Sequence, residues 1–387
     1  MSRRFPAAFA VLAVAVATSV PESAARDKKA DAEAKSFFDK GTIPEFTIEL
    51  SQKDADSLRR EPRKYVKCVL KDGKAVVGKD VAIHLKGAAG SFRHFDDKPG
   101  LTLNMDKFVD DQRFHGLDKF HLANSVQDPS FIQELFCGEL FRAAGVPAAR
   151  CSHAIVTLNG RSRGFYYLKE GYDTMFIDRN FGHKVGNFYD GGFLQDIDAR
   201  LQVISNKDDV KDQADLNALL AASRVADSAE RFKAMEKLME MDKFISYVAV
   251  DMFLADWDGY PSKCNNYRVY HNPKTNKITF IPSGMDQMLG DPNWPMMMQF
   301  GGRIARKVID TPEGKQRYAA RIEELLKTVF KVDDMVKRLD ELEKRVQPAL
   351  AKADPGAARD HRHHVNRLKE AVKQRHRAVT EQLKGLK

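Results

Sequence analysis

Two acidic stations about 30 residues apart hold the side chains of this chain best suited to chemistry. The first is Asp256-Trp257-Asp258-Gly259-Tyr260, followed by Asn265-Asn266-Tyr267; the second is Ile281-Pro282-Ser283-Gly284-Met285-Asp286-Gln287. Between them, the apolar, β-prone runs 267–270 and 277–281 flank an Asn-Pro-Lys-Thr-Asn turn and predict a hairpin. A hairpin of that length brings an Asp, an Asn and a second Asp to one end, where their oxygens can converge. Hard oxygen donors of this kind suit Mg²⁺ or Mn²⁺. Either station alone reads as a turn or a helix cap, because Asp and Asn are common there. Together they favour a phosphoryl-transfer site, in which one Asp takes a hydroxyl proton while an Asn and another Asp hold a cation.

Within that scheme Asp258 is the proton acceptor, because it lies between bulky Trp257 and flexible Gly259 at a loop apex. Asp256 sits at an expected helix end, where a buried structural role is equally suitable. Asn265 and Asn266 follow Asp258 by seven and eight residues, and one of them is expected to bind metal. The loop Lys86-Gly87-Ala88-Ala89-Gly90-Ser91 follows a strand and could lay backbone N–H groups against phosphate oxygens. It is not a Walker A motif, since no GK[ST] ends it.

The order of several separated blocks resembles the CotH kinase family, the atypical protein kinases named after a spore-coat protein. The blocks are HLKGAAGSFR, DDKPGLTLNMDKF, FHGLDKFHLANSVQDPSFIQELF, FRAAGVPAAR, LNGRSRGFYYLKEGYDTMF, GNFYDGG, ADWDGYPSKCNNYRVY and IPSGMDQMLG. The resemblance implies an α+β, two-lobed, kinase-like fold, with a β-rich N-terminal lobe over about 41–170 and a mainly helical lobe over about 171–330. It implies ATP and Mg²⁺ or Mn²⁺ as cofactors, and transfer of phosphate to Ser or Thr of a partner protein. In that setting Asp286 occupies the metal-binding position, though the glycine that usually follows it is missing. Either Lys98 or Lys86 contacts phosphate, and Glu134, or else Glu139, pairs with that lysine. Residues 167–172 fall where kinases hold adenine through hinge backbone. A rival within the same family is a catalytically silent surface protein acting in adhesion.

The elements that must position these residues are legible in outline. Alternating apolar residues over 65–70, 75–77, 81–85 and 101–104 predict strands. Asn159-Gly160 between 154–158 and 164–168 is a strong hairpin signal. Asp128-Pro129 predicts a helix start, running to about residue 144. Residues 207–256 and 331–387 carry helical spacing, and the latter is expected as an extension packing on the C-terminal lobe.

With 43% hydrophobic and 30% charged residues, the chain has globular composition. Arg3-Arg4, an apolar run over 5–17 and small residues at 23–25 read as an export signal spanning 1–25, followed by a flexible leader over 26–40. The apolar run is short for a membrane span, so the expectation is an exported monomer without a transmembrane anchor. The net charge of +9 gives non-specific steering, and no nucleic-acid-binding signature accompanies it. Four cysteines permit disulfides without choosing among pairings. None has zinc-ligand spacing.

Overall fold

A computed structural model describes residues 22–205 and 212–386. Of the expected export signal, residues 1–21 lie outside the described residues. Residues 22–25 open helix α1 (Glu22–Lys40). The expected flexible leader over 26–40 is therefore helical. Ala30, Ala34, Phe37 and Phe38 are buried, and Phe37 stacks on His115 with centroids 4.9 Å apart. Positions 30, 34 and 37 share one helical face. Two of the three are alanines, which is why the segment reads as featureless by hydrophobicity.

Seven strands then close a barrel in the order β1-β2-β3-β4-β5-β7-β6. They are β1 (Glu45–Glu49), β2 (Val66–Asp72), β3 (Ala75–Lys86), β4 (Gly100–Asn104), β5 (Lys119–Ala123), β6 (Cys151–Leu158) and β7 (Arg161–Glu170). Helix α2 (Gln52–Arg60) joins β1 to β2, and α3 (Gln133–Ala143) joins β5 to β6. Closure comes from parallel pairing of β1 with β6, Phe46 opposite Val156. Ile48, Leu70, Ile83, Leu103, Phe120 and Leu168 fill the interior, as strand alternation requires. Residues 75–86 form one strand where the sequence pattern suggested two. At the β6–β7 turn Asn159 and Gly160 have φ of 47° and 75°, the left-handed pair that a two-residue hairpin needs.

Beyond the barrel the chain is mainly helical. Helix α4 (Thr174–Phe181) leads to β8 (Asn187–Asp190) and β9 (Gln202–Ser205). Helices α5 (Ala214–Ala222), α6 (Ser228–Leu238), α7 (Met241–Phe253) and the short α8 (Tyr260–Lys263) follow. Next comes the expected hairpin, β10 (Tyr267–Asn272) and β11 (Lys277–Pro282), which joins a sheet of order β11-β10-β8-β9. Helices α9 (Arg303–Ile309), α10 (Pro312–Thr328), α11 (Val332–Ala353) and α12 (Pro355–Leu386) complete the chain. The protein is thus mixed α/β, with a β-rich N-terminal region and a helical C-terminal one.

Residues 331–387 do more than pack on the helical region. Helix α11 lies against β6 and β7, where Val346 and Leu350 meet Phe165. Helix α12 contributes Val365, Val372 and Val379 to the main helical core. From α12 the fully buried Arg375 donates to Phe253 O (2.9 Å), Met252 O (2.8 Å), Pro292 O (3.0 Å) and Trp294 O (2.6 Å). It thereby bonds two carbonyls at the end of α7, of which Met252 O also accepts from Ala255 N at 3.1 Å. Burial lowers this guanidinium to about 10. All four cysteines are free thiols, so the disulfides that their even number permits do not form in this structure.

Candidate active site

Helix α7 ends at Phe253, and Ala255, at φ 54°, turns the chain into the first acidic station. Asp256 is buried and accepts from Asp258 N at 3.0 Å, which sets the direction of the loop. Its carboxyl faces that of Asp251, also buried. Burial first, then mutual repulsion, raises Asp251 well above the ordinary carboxylate range, while burial raises Asp256 to about 7. The pair therefore keeps a proton near neutrality. A side chain on Gly259 would meet Asp251 Oδ2 at 2.6 Å and Asp256 Oδ2 at 2.7 Å, so only glycine can cover this pair. Asp256 is thus a buried positioning residue, one of the two readings its place at the helix end allowed.

Asp258 is half-buried on the cavity wall, and its Oδ2 accepts from Asn265 Nδ2 (2.8 Å) and Asn266 Nδ2 (3.0 Å). Its Oδ1 has no hydrogen-bond partner among the described residues. Because both asparagines spend their amide N–H groups on Asp258, their Oδ1 atoms are left to accept or coordinate. Asn266 takes φ 51°, a conformation Asn tolerates better than most residues. Its Oδ1 would lie 2.6 Å from a Cβ at Gly284, itself at φ 67°, so the second station closes directly over the first.

Asp286 lines the same cavity, with Asn265, Asn266 and Gly284. Burial, then the Glu134 and Asp128 charges, raises it to about 6. Opposite stand Lys86 at the end of β3 and Lys169 near the end of β7. Lys169 pairs with Glu134 of α3, both side chains being 6% exposed. Burial opposes its charge, yet the Glu134 carboxylate raises the Lys169 ammonium above its ordinary value. Glu134 also accepts from Met285 N at 2.8 Å, which ties this ion pair to the Asp286 loop. Burial, then the Lys169 charge, lowers Lys86 to about 8.

The glycine loop forms the roof, with Gly87 at φ 112° and Gly90 at φ 84°. Ser91 Oγ accepts from Ala88 N at 3.2 Å, holding the loop's shape. The whole cavity measures about 640 Å³.

Of the residues singled out by sequence, Asp258, Asn265, Asn266, Asp286, Lys86, Gly87, Ser91 and Glu134 all line this cavity. Lys98 does not. Its ammonium sits 5.3 Å from the Phe131 ring and 5.4 Å from that of Tyr166, with no carboxylate bonded to it among the described residues. The partner of Glu134 is Lys169, which sequence position assigned to a hinge. In the expected hinge, Glu170 N donates to Arg150 O and Gly171 N to Lys119 O, both at 2.9–3.0 Å, so those donors are already used. Glu139 turns away, pairing with Arg338 at 2.7 and 2.8 Å. Arg268, missed by sequence, also lines the cavity; it pairs with Asp190 at 2.9 Å and lies over the Tyr172 ring. One signal for Lys169 was available: it is the only charge in the apolar run from Phe165 to Leu168 and its next residue.

Among the described residues no three His, Cys, Asp or Glu side chains gather as a metal site. The cavity instead offers Asp258 and Asp286, with Glu134 and Asp190 paired to Lys169 and Arg268, amide oxygens and several cations. That set fits Mg²⁺ or Mn²⁺, which one or two carboxylates hold while phosphate oxygens complete the shell.

Lysines on two strands of the barrel thus face acids and amides gathered at one end of a hairpin. The chain belongs to the CotH kinase protein family, whose model matches residues 83–379. It is similar to Invasin CotH7 of Rhizopus delemar, 20% identical over 54% of this chain and 39% of the relative. It is also similar to spore coat protein homolog 1 of that organism, 22% identical over 44% of this chain and 30% of the relative. Invasin CotH2 of the same fungus is 22% identical over 44% and 32%. The chain thus spans well under half the length of these curated relatives. The family match includes α11 and most of α12. No helix among the described residues is long and apolar enough to cross a membrane.

Proposed function

We propose that this protein is an exported, metal-dependent protein kinase of two-lobed, kinase-like build, transferring the terminal phosphate of ATP to Ser or Thr of a secreted or surface protein. One observation carries the reading: Asp258 Oδ2 is fixed by two asparagine amides while its Oδ1 has no partner among the described residues. A carboxylate held that way is oriented to take a hydroxyl proton. Asn266 and Asp286, with Asn265 as the alternative amide, are the residues that would hold Mg²⁺ or Mn²⁺. The cation would neutralise phosphate charge as it develops. Lys169, aligned by Glu134, and Lys86 would offset further negative charge. Backbone N–H groups of the glycine loop would bind phosphate oxygens. The kinase-like build is supported by the buried Lys169–Glu134 pair and by a hairpin joining Asp258 and Asn266 to Asp286.

A second reading is supported by the names of the curated relatives, two of them invasins: the same fold acting in attachment without catalysis. Incubation with γ-labelled ATP and Mn²⁺ decides between them. The kinase reading expects label on protein from wild type, and little from Asp258→Ala or Asp286→Ala. Equal incorporation by all three sinks the mechanism, and none by any of them favours attachment.

A further inference from the structure

Seven large apolar side chains are exposed among the described residues, and three of them line this one polar cavity: Phe193 (54%), Leu194 (54%) and Trp257 (40%). Exposed apolar groups clustered at a polar site mark contact with something else. Leu194 is also held at φ 54°, a costly conformation for a bulky residue.

The position of the cluster says which end of the cavity it serves. Trp257 immediately precedes Asp258. The loop carrying Phe193 and Leu194 is stapled to the same wall: Tyr267 OH donates to Gln195 O at 2.9 Å, and Tyr260 OH to Asp196 Oδ1 at 3.0 Å. Asp196 Oδ2 also accepts from Arg303 N at 2.7 Å. All three residues therefore belong to the wall that bears the proton acceptor. The lysines and glycine loop suited to phosphates belong to the barrel.

Charge adds a second mark. Lys169 is committed to Glu134 and Arg268 to Asp190. Lys263, exposed on the cavity rim 5.6 Å from the Trp257 ring, has no ion-pair partner among the described residues. The rim thus presents apolar surface beside an uncompensated cation.

We propose that Phe193, Leu194, Trp257 and Lys263 form the docking lip for the acceptor polypeptide, recognising a segment in which an apolar and an acidic side chain flank the Ser or Thr hydroxyl. The proposal rests on the kinase reading of the same cavity and specifies its substrate class. The lip takes the apolar neighbour by burial and the acidic one by pairing with Lys263, which places the hydroxyl against Asp258.

The test uses the full chain and synthetic peptides with one serine beside a leucine and a glutamate, titrated by fluorescence anisotropy; Mn-ATP binding is followed in parallel by thermal shift. The double variant Phe193→Ser, Leu194→Ser changes only exposed positions. It is expected to weaken peptide binding at least about tenfold while keeping the nucleotide-dependent shift. Lys263→Glu is expected to weaken the glutamate peptide and strengthen a lysine counterpart. A double variant that keeps peptide affinity but loses the nucleotide shift overturns the proposal and gives the lip to the nucleobase. Unchanged preference in Lys263→Glu overturns the acidic part. If wild type shows no nucleotide shift, the kinase reading fails, while the peptide titrations still decide what the lip binds.

Discussion

On the barrel side of the cavity, Lys86 and Lys169 stand on strands paired on both edges, β3 between β2 and β4 and β7 between β5 and β6. On the other side, Asp258, Asn266 and Asp286 stand on connections between elements. There Ala255, Cys264, Asn266 and Leu289 all take positive φ. Each such residue costs roughly 1–2 kcal/mol unless the surroundings enforce it. The cations are therefore held by ladder hydrogen bonds, and the acids by tertiary packing around a strained loop. A substitution on the barrel wall should cost stability, whereas one on the acidic wall should cost activity.

The contrast is tested most strongly at the acids themselves. Asp258→Ala and Asp286→Ala should each lower the initial rate of label transfer by about 10²–10⁴-fold, with melting temperatures close to wild type; loss of fold in either would blur the two walls. On the other wall, Glu134→Gln keeps an acceptor for Met285 N but strands the buried Lys169 ammonium. It should cost about 3 kcal/mol in denaturant unfolding, and a stable variant would show that the pair is not what holds this wall.

Gly284→Ala is a smaller change that couples the stations. Its Cβ would meet Asn266 Oδ1 at 2.6 Å at a positive φ, so it should displace that amide at a cost of about 1–2 kcal/mol. The measurable result is a Mn²⁺ requirement raised about tenfold, and an unchanged requirement would remove Asn266 from the metal's neighbours.

A separate effect lies in pH dependence. Asp256 and Asp286 titrate above their ordinary value of 3.8, at about 7 and about 6, so the folded state binds more protons than the unfolded one between those limits. Stability should therefore fall as pH rises from about 4 to about 7, by at most about 1.4 kcal/mol per pH unit for each proton. Asp256→Asn should flatten that slope in urea titrations at several pH values; an unchanged slope would mean the Asp251–Asp256 pair does not titrate there.

Much of the acidic wall was legible because its residues are close in sequence. Asp258 reaches Asn265 and Asn266 across seven and eight residues, and one hairpin carries the chain to Asp286. The barrel wall was less so. Glu134 and Lys169 are 35 residues apart on a helix and a strand, and the one local mark of Lys169 is its place at the end of the apolar run 165–168. Helix α1 escaped because alanines carry its buried stripe. Arg375 escaped because a basic residue in a charged helix reads as solvated, although 122 residues separate it from the Phe253 carbonyl it caps.

Sequence alone determined the strand alternation, the turn chemistry at Asn159-Gly160 and the pairing of two acidic stations through a hairpin, since each depends on residues near one another in the chain. Tertiary structure alone decided which lysine meets Glu134, which way Asp256 faces and what Arg375 satisfies. Those outcomes depend on which buried charges and carbonyls come within hydrogen-bond reach, and only the packed chain sets that.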